Sequence, residues 1–220
     1  MRHYCEAYDD RYRVIHAQGL QWSSDTPTPI VLEALRRYAE PGEAVLELGC
    51  GEGRDARAVL EAGYRLCATD LSPAAIAYCR AQMPERADCF RELDCLRGTH
   101  TRRYRFVYAV AVLHMLVRDE DRSAFYGFIR DHLTPDGAAL ICTMGDGTFE
   151  MQSDPDEAFA VREREHPDGM QRVAATTCRM VSFETLRSEL AANGLSPVET
   201  GLTEAMPDFN SLMYAVVKRA

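Results

Sequence analysis

Apolar runs and helical stretches alternate through the first two thirds of the chain. Mostly apolar runs predict strands at residues 44–48, 64–70, 104–113 and 137–144, and a weaker pattern predicts another at 87–93. Stretches with helical periodicity precede or separate them, at residues 30–39, 54–62, 74–83 and 119–133. Buried strands that alternate with helices indicate a parallel sheet covered on both faces.

The pattern changes after residue 182. Residues 182–194 read as one capped helix, and two strands, 195–204 and 211–220, follow with no helix between them. They predict a final antiparallel pair. The expected fold class is therefore α/β, with a Rossmann-like, doubly wound, mostly parallel seven-stranded sheet and a C-terminal antiparallel hairpin.

Two segments lie outside this alternation. Residues 1–27 form an aromatic segment, in which Tyr4, Tyr8 and Tyr12 recur with helical spacing. This stripe either packs on the core or forms a cap over a cofactor. Residues 145–181 are too long for a simple connection and predict a lid-like insertion in the domain 28–220, with a helix-like piece at 155–165.

Composition excludes several classes of function. The 220 residues are 46% hydrophobic, which suits one domain with a substantial core. Lys and Arg number 25 against 34 Asp and Glu, so a basic nucleic-acid-binding face is not expected. Neither an apolar run of membrane-spanning length nor a signal peptide is recognisable. A cytoplasmic protein, monomer or homodimer, is expected.

The eight cysteines predict neither a metal site nor a disulfide framework. None lies in a CxxC or in a Cys/His pattern with metal-ligand spacing. We expect them to be reduced and structural. The alternative is a reactive thiol at Cys50, whose pKa the nearby cation Arg54 could lower.

The glycine-rich stretch 49–53 predicts a ligand-binding turn. It follows a strand and precedes a helix, where backbone amides favour a negative group. Its spacing is GxGxG, and Arg54 stands where the dinucleotide fingerprint GxGxxG needs its third glycine. Glu47, two residues before the first glycine, would repel a pyrophosphate and suits a ligand with an ammonium group.

Acidic residues follow the next two strands. Asp70 ends the second strand and can accept both hydrogen bonds of a ribose diol; alternatively it only starts the next helix. Asp94 and Cys95 follow the third strand, where a carboxylate could bind an adenine amino group; alternatively Asp94 is a turn residue. Ribose, adenine, a carboxylate and an amine occur together in S-adenosylmethionine.

Five segments in order carry a family resemblance. They are VLELGCGEGRDA, ATDLSPAAI, ELD, FVYAVAVLHML and HLTPDGAALI. Together they resemble the class I S-adenosylmethionine-dependent methyltransferases. The glycine loop and the aromatic N-terminal segment are loosely similar to small-molecule enzymes of the tellurite-resistance and thiopurine types.

The resemblance implies cofactor-binding roles by position. The methionine end of S-adenosylmethionine would lie on the glycine loop, formed by Glu47, Gly49, Cys50, Gly51 and Gly53. Asp70 would bind the ribose, Leu71 would line the adenine, and Asp94 and Cys95 would flank its polar edge. Backbone oxygens near the sulfonium would come from Ala109, Val110 and Ala111, with His114 facing the reaction centre.

The predicted reaction is in-line methyl transfer to a small-molecule acceptor through an O, N or S nucleophile. If a base is needed, the candidates in order are His114, Tyr12 and His166. His114 could instead be a packed wall residue. An anionic acceptor could meet the cationic side chains of the insertion, Arg162, Arg164, His166 and Arg179, unless these form a solvated face.

Two other classes of function remain open from the sequence. One is a nicotinamide-dependent oxidoreductase, against which Arg54 and Glu47 argue. The other is a non-catalytic module that binds an adenosine ligand, since fold alone does not fix function.

Overall fold

The computed structural model describes residues 2–98, 100–203 and 212–220. In chain order, the helices are α1 (Ala7–His16), α2 (Pro29–Tyr38), α3 (Arg54–Glu61), α4 (Pro73–Gln82), α5 (Asp119–His132) and α6 (Phe183–Ala192). The strands are β1 (Ala44–Leu48), β2 (Arg65–Asp70), β3 (Phe90–Glu92), β4 (Tyr104–Val110), β5 (Leu133–Met144), β6 (Met151–Gln152), β7 (Val161–Arg164), β8 (Gln171–Ala174), β9 (Arg179–Met180), β10 (Leu195–Thr203) and β11 (Leu212–Arg219).

Seven of these strands form one sheet, in the order β10-β11-β5-β4-β1-β2-β3. The pairs β1–β2, β1–β4, β2–β3 and β4–β5 are parallel. β11 pairs antiparallel with both β5 and β10. The predicted doubly wound sheet with a C-terminal antiparallel hairpin is therefore confirmed. Residues 204 and 211, at the ends of the predicted hairpin strands, lie outside the described residues.

The sheet is buried on both faces because its strands are apolar at successive positions. On one face, Phe106 and Val45 pack against Leu35 of α2 and Val59 of α3. On the other face, Leu46 packs in a cluster with residues of α5 and α6. Burying each large aliphatic side chain contributes roughly 1.5–3 kcal/mol, so the helices are held mainly by these contacts.

Several local predictions were wrong. The piece 155–165 is not helical, because its alternating charges form the exposed strand β7, which pairs with β8 after a short 3-10 turn. The third strand is reduced to β3, since 84–89 form a 3-10 helix. β4 ends at Val110 and not at residue 113, because Ala111 adopts a left-handed backbone conformation with φ of 58°.

The predicted helix starts differ in their side-chain bonds. Ser72 caps α4 as expected, with its hydroxyl accepting from the Ala75 amide at 3.1 Å. Thr28 stands at the start of α2, but its hydroxyl donates to the Asp55 carboxylate at 3.0 Å instead of capping the helix. Thr28 thus joins α2 to the start of α3. Across the described part of the chain, no helix is long and apolar enough to cross a membrane.

Candidate cofactor and acceptor site

A cavity of about 70 Å³ lies at the carboxyl edge of the sheet. Ligands of open α/β sheets bind at this edge, where the chain leaves β1 and β4 in opposite directions. Its lining residues come from the strand ends, the loops after them and the N-terminal segment: Cys5, Leu48, Gly49, Thr69, Asp70, Leu71, Leu93, Asp94, Cys95, Leu96, Val112, Met115 and Leu116. Five of the predicted cofactor residues are among them, Gly49, Asp70, Leu71, Asp94 and Cys95.

The glycine loop is folded tightly against the end of β2. Gly49, Gly51 and Gly53 have φ values of 73°, 52° and 81°, which other residues rarely adopt. The amides of Gly49 and Cys50 both donate to the Thr69 carbonyl, at 2.8 and 2.9 Å. A Cβ on Gly49 would lie 2.3 Å from Val112 Cγ2, so no side chain fits there.

Asp70 connects the glycine loop to the start of α4. Its Oδ2 accepts from the Gly51 amide and its Oδ1 from the Ser72 amide, both at 2.8 Å. Burial raises the pKa of Asp70, although these two backbone bonds oppose the shift. Each carboxylate oxygen retains a further lone pair, so the side chain is fixed and can still accept bonds from a ligand.

Asp94 and Cys95 follow β3 beside the Asp70 loop, since the Leu93 amide donates to the Asp70 carbonyl at 2.9 Å. Asp94 Oδ1 accepts from the Leu96 amide at 2.8 Å, which makes the turn that the alternative interpretation expected while leaving the residue in the cavity lining. Burial and the Asp94 charge raise the pKa of the Cys95 thiol to about 12. Burial likewise raises the pKa of Cys5 to about 12. Both thiols therefore act as apolar lining.

Glu47 lies beneath the loop and outside the cavity lining. It is 3% exposed and stands opposite Tyr108 in the β1–β4 register. Burial and the nearby carboxylate of Asp55 raise its pKa well above the usual range. Glu47 is therefore a buried residue below the glycine loop and does not line the cavity in this conformation.

The structure contradicts a reactive thiol at Cys50. The neighbouring Cys79 thiol and burial both raise the pKa of Cys50 well above its usual value. Arg54, the cation that could have lowered it, instead binds Asp55 at 2.8 Å and Thr28 at 2.9 Å. Among the described residues the cysteines are all free thiols.

The end of β4 brings the predicted residues Ala109, Val110 and Ala111 to the same edge. Ala111 donates its amide to the Cys142 carbonyl at 3.0 Å, which holds its strained backbone in place. His114 follows in a 3-10 turn and is 3% exposed. Burial, followed by the charges of Arg122 and Arg11, lowers the pKa of His114 to about 4, so its imidazole is neutral at pH 7.

The N-terminal segment covers the glycine loop through Glu52, which the sequence did not single out. Glu52 accepts from the amides of Trp22 and Ser23, both at 2.7 Å, from the Ser23 hydroxyl at 2.7 Å, and pairs with His16 Nε2 at 2.8 Å. Burial raises the pKa of Glu52, but these bonds outweigh it and lower the pKa overall. A lone glutamate between glycines gives no local signal for such a role.

Helix α1 is docked beside the cavity by two further contacts. Asp9 accepts from the Ser72 hydroxyl at 2.6 Å and the Ala74 amide at 3.1 Å, at the start of α4. The Tyr12 hydroxyl lies 2.8 Å from where a Cβ of Gly51 would be. Burial, followed by the charges of Asp70 and Glu52, raises the pKa of Tyr12 well above its usual value. Tyr12 therefore carries its proton beside the loop.

The insertion contacts both the N-terminal segment and the turn that holds His114. Thr177 donates its hydroxyl to the Met115 carbonyl at 2.6 Å. His166 Nε2 bonds to the Gln21 carbonyl at 2.8 Å, and its Nδ1 accepts from the Asp168 amide at 3.1 Å. Because both ring nitrogens are engaged by backbone groups, His166 has no nitrogen available for a proton from a substrate in this conformation.

Two of the three arginines that the sequence suggested for an anion already have acidic partners. Arg162 pairs with Glu157 at 3.0 Å, and Arg179 pairs with Asp119 at 2.6 Å. Arg11, which the sequence did not single out, is instead a buried cation of this region, at 6% exposure. Its position in an ordinary helical pattern gave no signal that it would be buried.

Replacing Glu52 with glutamine should loosen the N-terminal segment. We expect local opening of residues 16–23 to become easier by roughly 2 kcal/mol, since bonds to a charged acceptor are lost. Limited proteolysis at pH 7 should then cleave this segment faster. Because its pKa lies below the usual 4.5, the stabilisation by Glu52 is complete above pH 4.5 and is lost as the pH falls through the folded value.

A matched control is Glu61→Gln, which removes the same charge from an exposed position at the end of α3. Its cleavage pattern should equal that of the wild type. Equal cleavage of Glu52→Gln and wild type would mean that Glu52 does not anchor the segment.

The comparisons with known proteins agree with the observed fold. The sequence profile of the methyltransferase domain family matches residues 46–139. No curated protein matches the sequence. Together with the seven-stranded sheet, the profile match over these residues agrees with the prediction of a class I methyltransferase that uses S-adenosylmethionine.

Solved structures similar to the chain share its fold at low sequence identity. The CcbJ methyltransferase from Streptomyces caelestis has a TM-score of 0.72 and 17% identity, with all of both chains covered. A glycopeptide N-methyltransferase, MtfA, complexed with S-adenosylmethionine has a TM-score of 0.64 and 19% identity, covering 89% of this chain and 95% of that one. An S-adenosylmethionine-dependent methyltransferase from Clostridium acetobutylicum has a TM-score of 0.65 and 13% identity, covering 86% and 89%.

Proposed function

We propose that this protein transfers the methyl group of S-adenosylmethionine to a small molecule that binds between the N-terminal segment and the insertion. The observation that carries the proposal is the cavity at the carboxyl edge. Its lining includes Gly49 after β1, Asp70 and Leu71 after β2, and Asp94 and Cys95 after β3. These are the positions that an adenosine with a methionine tail requires.

The cofactor residues divide by the part of the ligand that they would hold. Asp70, fixed by two backbone amides, would accept the ribose hydroxyls, and Leu71 would pack on the adenine. Asp94 and Cys95 would meet its polar edge. The methionine end would lie at the glycine loop, where the protonated hydroxyl of Tyr12, beside Gly51, would donate to its carboxylate.

We further propose that residues 1–27 act as a cap and residues 145–181 as a lid. Pockets for ligands of this size measure roughly 300 Å³ or more, whereas the cavity measures about 70 Å³. Cys5 of the N-terminal segment is part of its lining, and Glu52 anchors the same segment to the glycine loop. The segment therefore has to move before the cofactor can enter, and its return would exclude water.

The chain's contribution to the reaction is mainly alignment. S-adenosylmethionine, when bound, supplies an electrophilic methyl group and a neutral leaving group. Backbone oxygens of Ala109, Val110 and Ala111 would orient the cofactor near the reacting centre. His114, neutral because its pKa is about 4, can accept a proton from an acceptor at the same edge. Tyr12 keeps its proton and is better suited to donating a hydrogen bond.

The names of similar structures support a small acceptor. MtfA is a glycopeptide N-methyltransferase, and a Burkholderia thailandensis enzyme of the same fold was solved with 1,6-didemethyltoxoflavin. Both share less than 20% identity with this chain. We propose in addition that the protein works in the cytoplasm without nucleic acid, as a monomer or homodimer, in keeping with its acidic composition.

Titration calorimetry with S-adenosylmethionine, S-adenosylhomocysteine and NAD tests this function. We expect micromolar binding of the first two and none of NAD. Binding of NAD alone would support the oxidoreductase alternative and contradict the proposal. Cofactor binding without turnover on a panel of thiols, phenols and amines would support the non-catalytic module.

Replacing His114 with alanine should lower kcat about 100-fold and leave the affinity for S-adenosylhomocysteine within about twofold. In the wild type, kcat should be constant around pH 7 and fall as the pH approaches 4, because the imidazole then becomes protonated. The measurement is a pH–rate profile with an acceptor found in the panel. His114→Asn preserves a polar side chain of similar size; full activity of this variant would assign His114 to packing.

A further inference from the structure

Arg11 is a buried cation without a carboxylate partner. Its side chain belongs to α1 and is 6% exposed. Within residues 2–98, 100–203 and 212–220, every ion pair of an arginine involves some other arginine. Burial, and to a smaller extent the charge of Arg164, lowers its pKa. A buried charge of this kind is costly unless something compensates it.

The hydrogen bonds from the Arg11 guanidinium to the insertion are all made by one nitrogen. Its Nη2 donates to the carbonyls of Ala174 and Ala175 at 2.8 and 3.0 Å, and to the Thr176 hydroxyl oxygen at 2.9 Å. Thr176 has a φ of 61°, so a strained turn of the insertion presents these oxygens. In contrast, Nε is buried and has no hydrogen-bond partner among the described residues. The Nη2 end of the guanidinium is thus fixed, and the Nε donor is unused.

The surroundings of Arg11 suit a planar organic ligand near the reacting groups. The rings of Trp22 and Tyr8 lie 4.6 and 5.0 Å from the guanidinium carbon. The charge of Arg11 acts on His114, the candidate base. Arg11 therefore lies between the N-terminal segment, the insertion and the turn after β4, which is where the acceptor is proposed to bind.

A ligand with one negative charge would both compensate the buried positive charge of Arg11 and accept a hydrogen bond from its unused Nε. A carboxylate can accept a charge-assisted hydrogen bond from Nε and compensates the buried positive charge. A buried donor left unused costs about 1–3 kcal/mol, which such a ligand would recover on binding.

We infer that Arg11 binds a carboxylate group of the methyl acceptor, and that the substrates of this protein are small organic acids with a planar body. This inference rests on the proposed methyltransferase function and specifies its substrate class. Tyr8 and Trp22 would contact the planar body, and Arg11 would set its orientation so that the nucleophile faces His114 and the methyl group.

The test uses the full chain saturated with S-adenosylhomocysteine. Calorimetry measures the binding of benzoate, salicylate, anthranilate and 4-aminobenzoate, each against its uncharged carboxamide. We expect at least one carboxylate to bind the wild type at least tenfold more tightly than its amide. Arg11→Gln should remove this preference and leave the affinity for S-adenosylhomocysteine within threefold. Arg65→Gln, the same change at an exposed position on β2, should leave both affinities unchanged.

If Arg11 has a purely structural role, the expected result is different. Arg11→Gln would then lower the stability to urea without changing the ratio of carboxylate to amide affinity. If Arg11→Gln does not fold, Arg11→Lys retains the charge without the Nε donor and should reduce the ratio at least threefold. Equal binding of acids and amides, or no binding of any acid, overturns the inference. Failure of the wild type to bind S-adenosylhomocysteine would instead overturn the proposed function.

Discussion

Replacing Asp70 with alanine is expected to weaken binding of S-adenosylhomocysteine about 100-fold. The variant would lose the two hydrogen bonds that the ribose hydroxyls are proposed to donate to the carboxylate. A 100-fold loss corresponds to about 2.7 kcal/mol, near the lower end for two bonds to a charged group. The substitution also frees the amides of Gly51 and Ser72, which the two carboxylate oxygens now hold at 2.8 Å. The loop therefore loses its preorganised shape together with its ligand contact. Titration calorimetry at pH 7 measures the change.

The control for this experiment is Asp88→Ala, which removes the same charge from an exposed position before β3. It should bind S-adenosylhomocysteine as the wild type does. Urea unfolding of Asp70→Ala separates a loss of affinity from a loss of folded protein. Affinity equal to the wild type in a folded Asp70→Ala protein would show that the ribose binds elsewhere.

Replacing Gly49 with alanine should lower the affinity for S-adenosylhomocysteine at least 30-fold and destabilise the fold by roughly 3 kcal/mol. A left-handed conformation, here with φ of 73°, costs an alanine roughly 1–2 kcal/mol. The added Cβ also falls 2.3 Å from Val112 Cγ2, so Val112 or the loop must move. Gly49 and Val112 both line the cavity, so a movement of either changes the ligand site itself.

Gly63→Ala is a matched control because Gly63 has a φ of 88° but nothing within 4 Å of an added Cβ. It should show the backbone strain alone, about 1–2 kcal/mol, and unchanged ligand affinity. Adding Val112→Ala to the Gly49→Ala protein removes the clashing methyl group and should recover part of the stability. The same affinity loss in both glycine variants would contradict the proposed role of the loop.

Residue-by-residue periodicity explains why much of the sheet was predictable. Apolar strands and amphipathic helices carry their pattern locally, so β1 and β2 were placed to within a residue. The last hairpin followed from two strands without a helix between them. Where a weak local pattern had to be interpreted alone, as for β3 or for the exposed strand β7, the prediction was less accurate.

The cofactor residues that could be proposed from the sequence are also those that depend on local patterns. Parallel strands bring their carboxyl ends to one edge, so residues that follow the strands meet there wherever they stand in the chain. Gly49, Asp70 and Asp94 therefore followed from the sequence, and the structure places all three in the cavity lining. Their roles toward S-adenosylmethionine stay predictions until ligand binding is measured.

The sequence by itself determined most strands and helices of the main sheet, the glycine loop and the acids at the strand ends, because each depends on neighbouring residues. Only the tertiary structure decided that Glu52 anchors the N-terminal segment, that Cys50 is an inert thiol and that Arg11 is buried without a carboxylate. Glu52 and Arg11 bind groups 29 and 163 positions away in the chain. Burial and charge at such sites depend on which distant segments pack together, and this packing cannot be predicted from the residues next to each site.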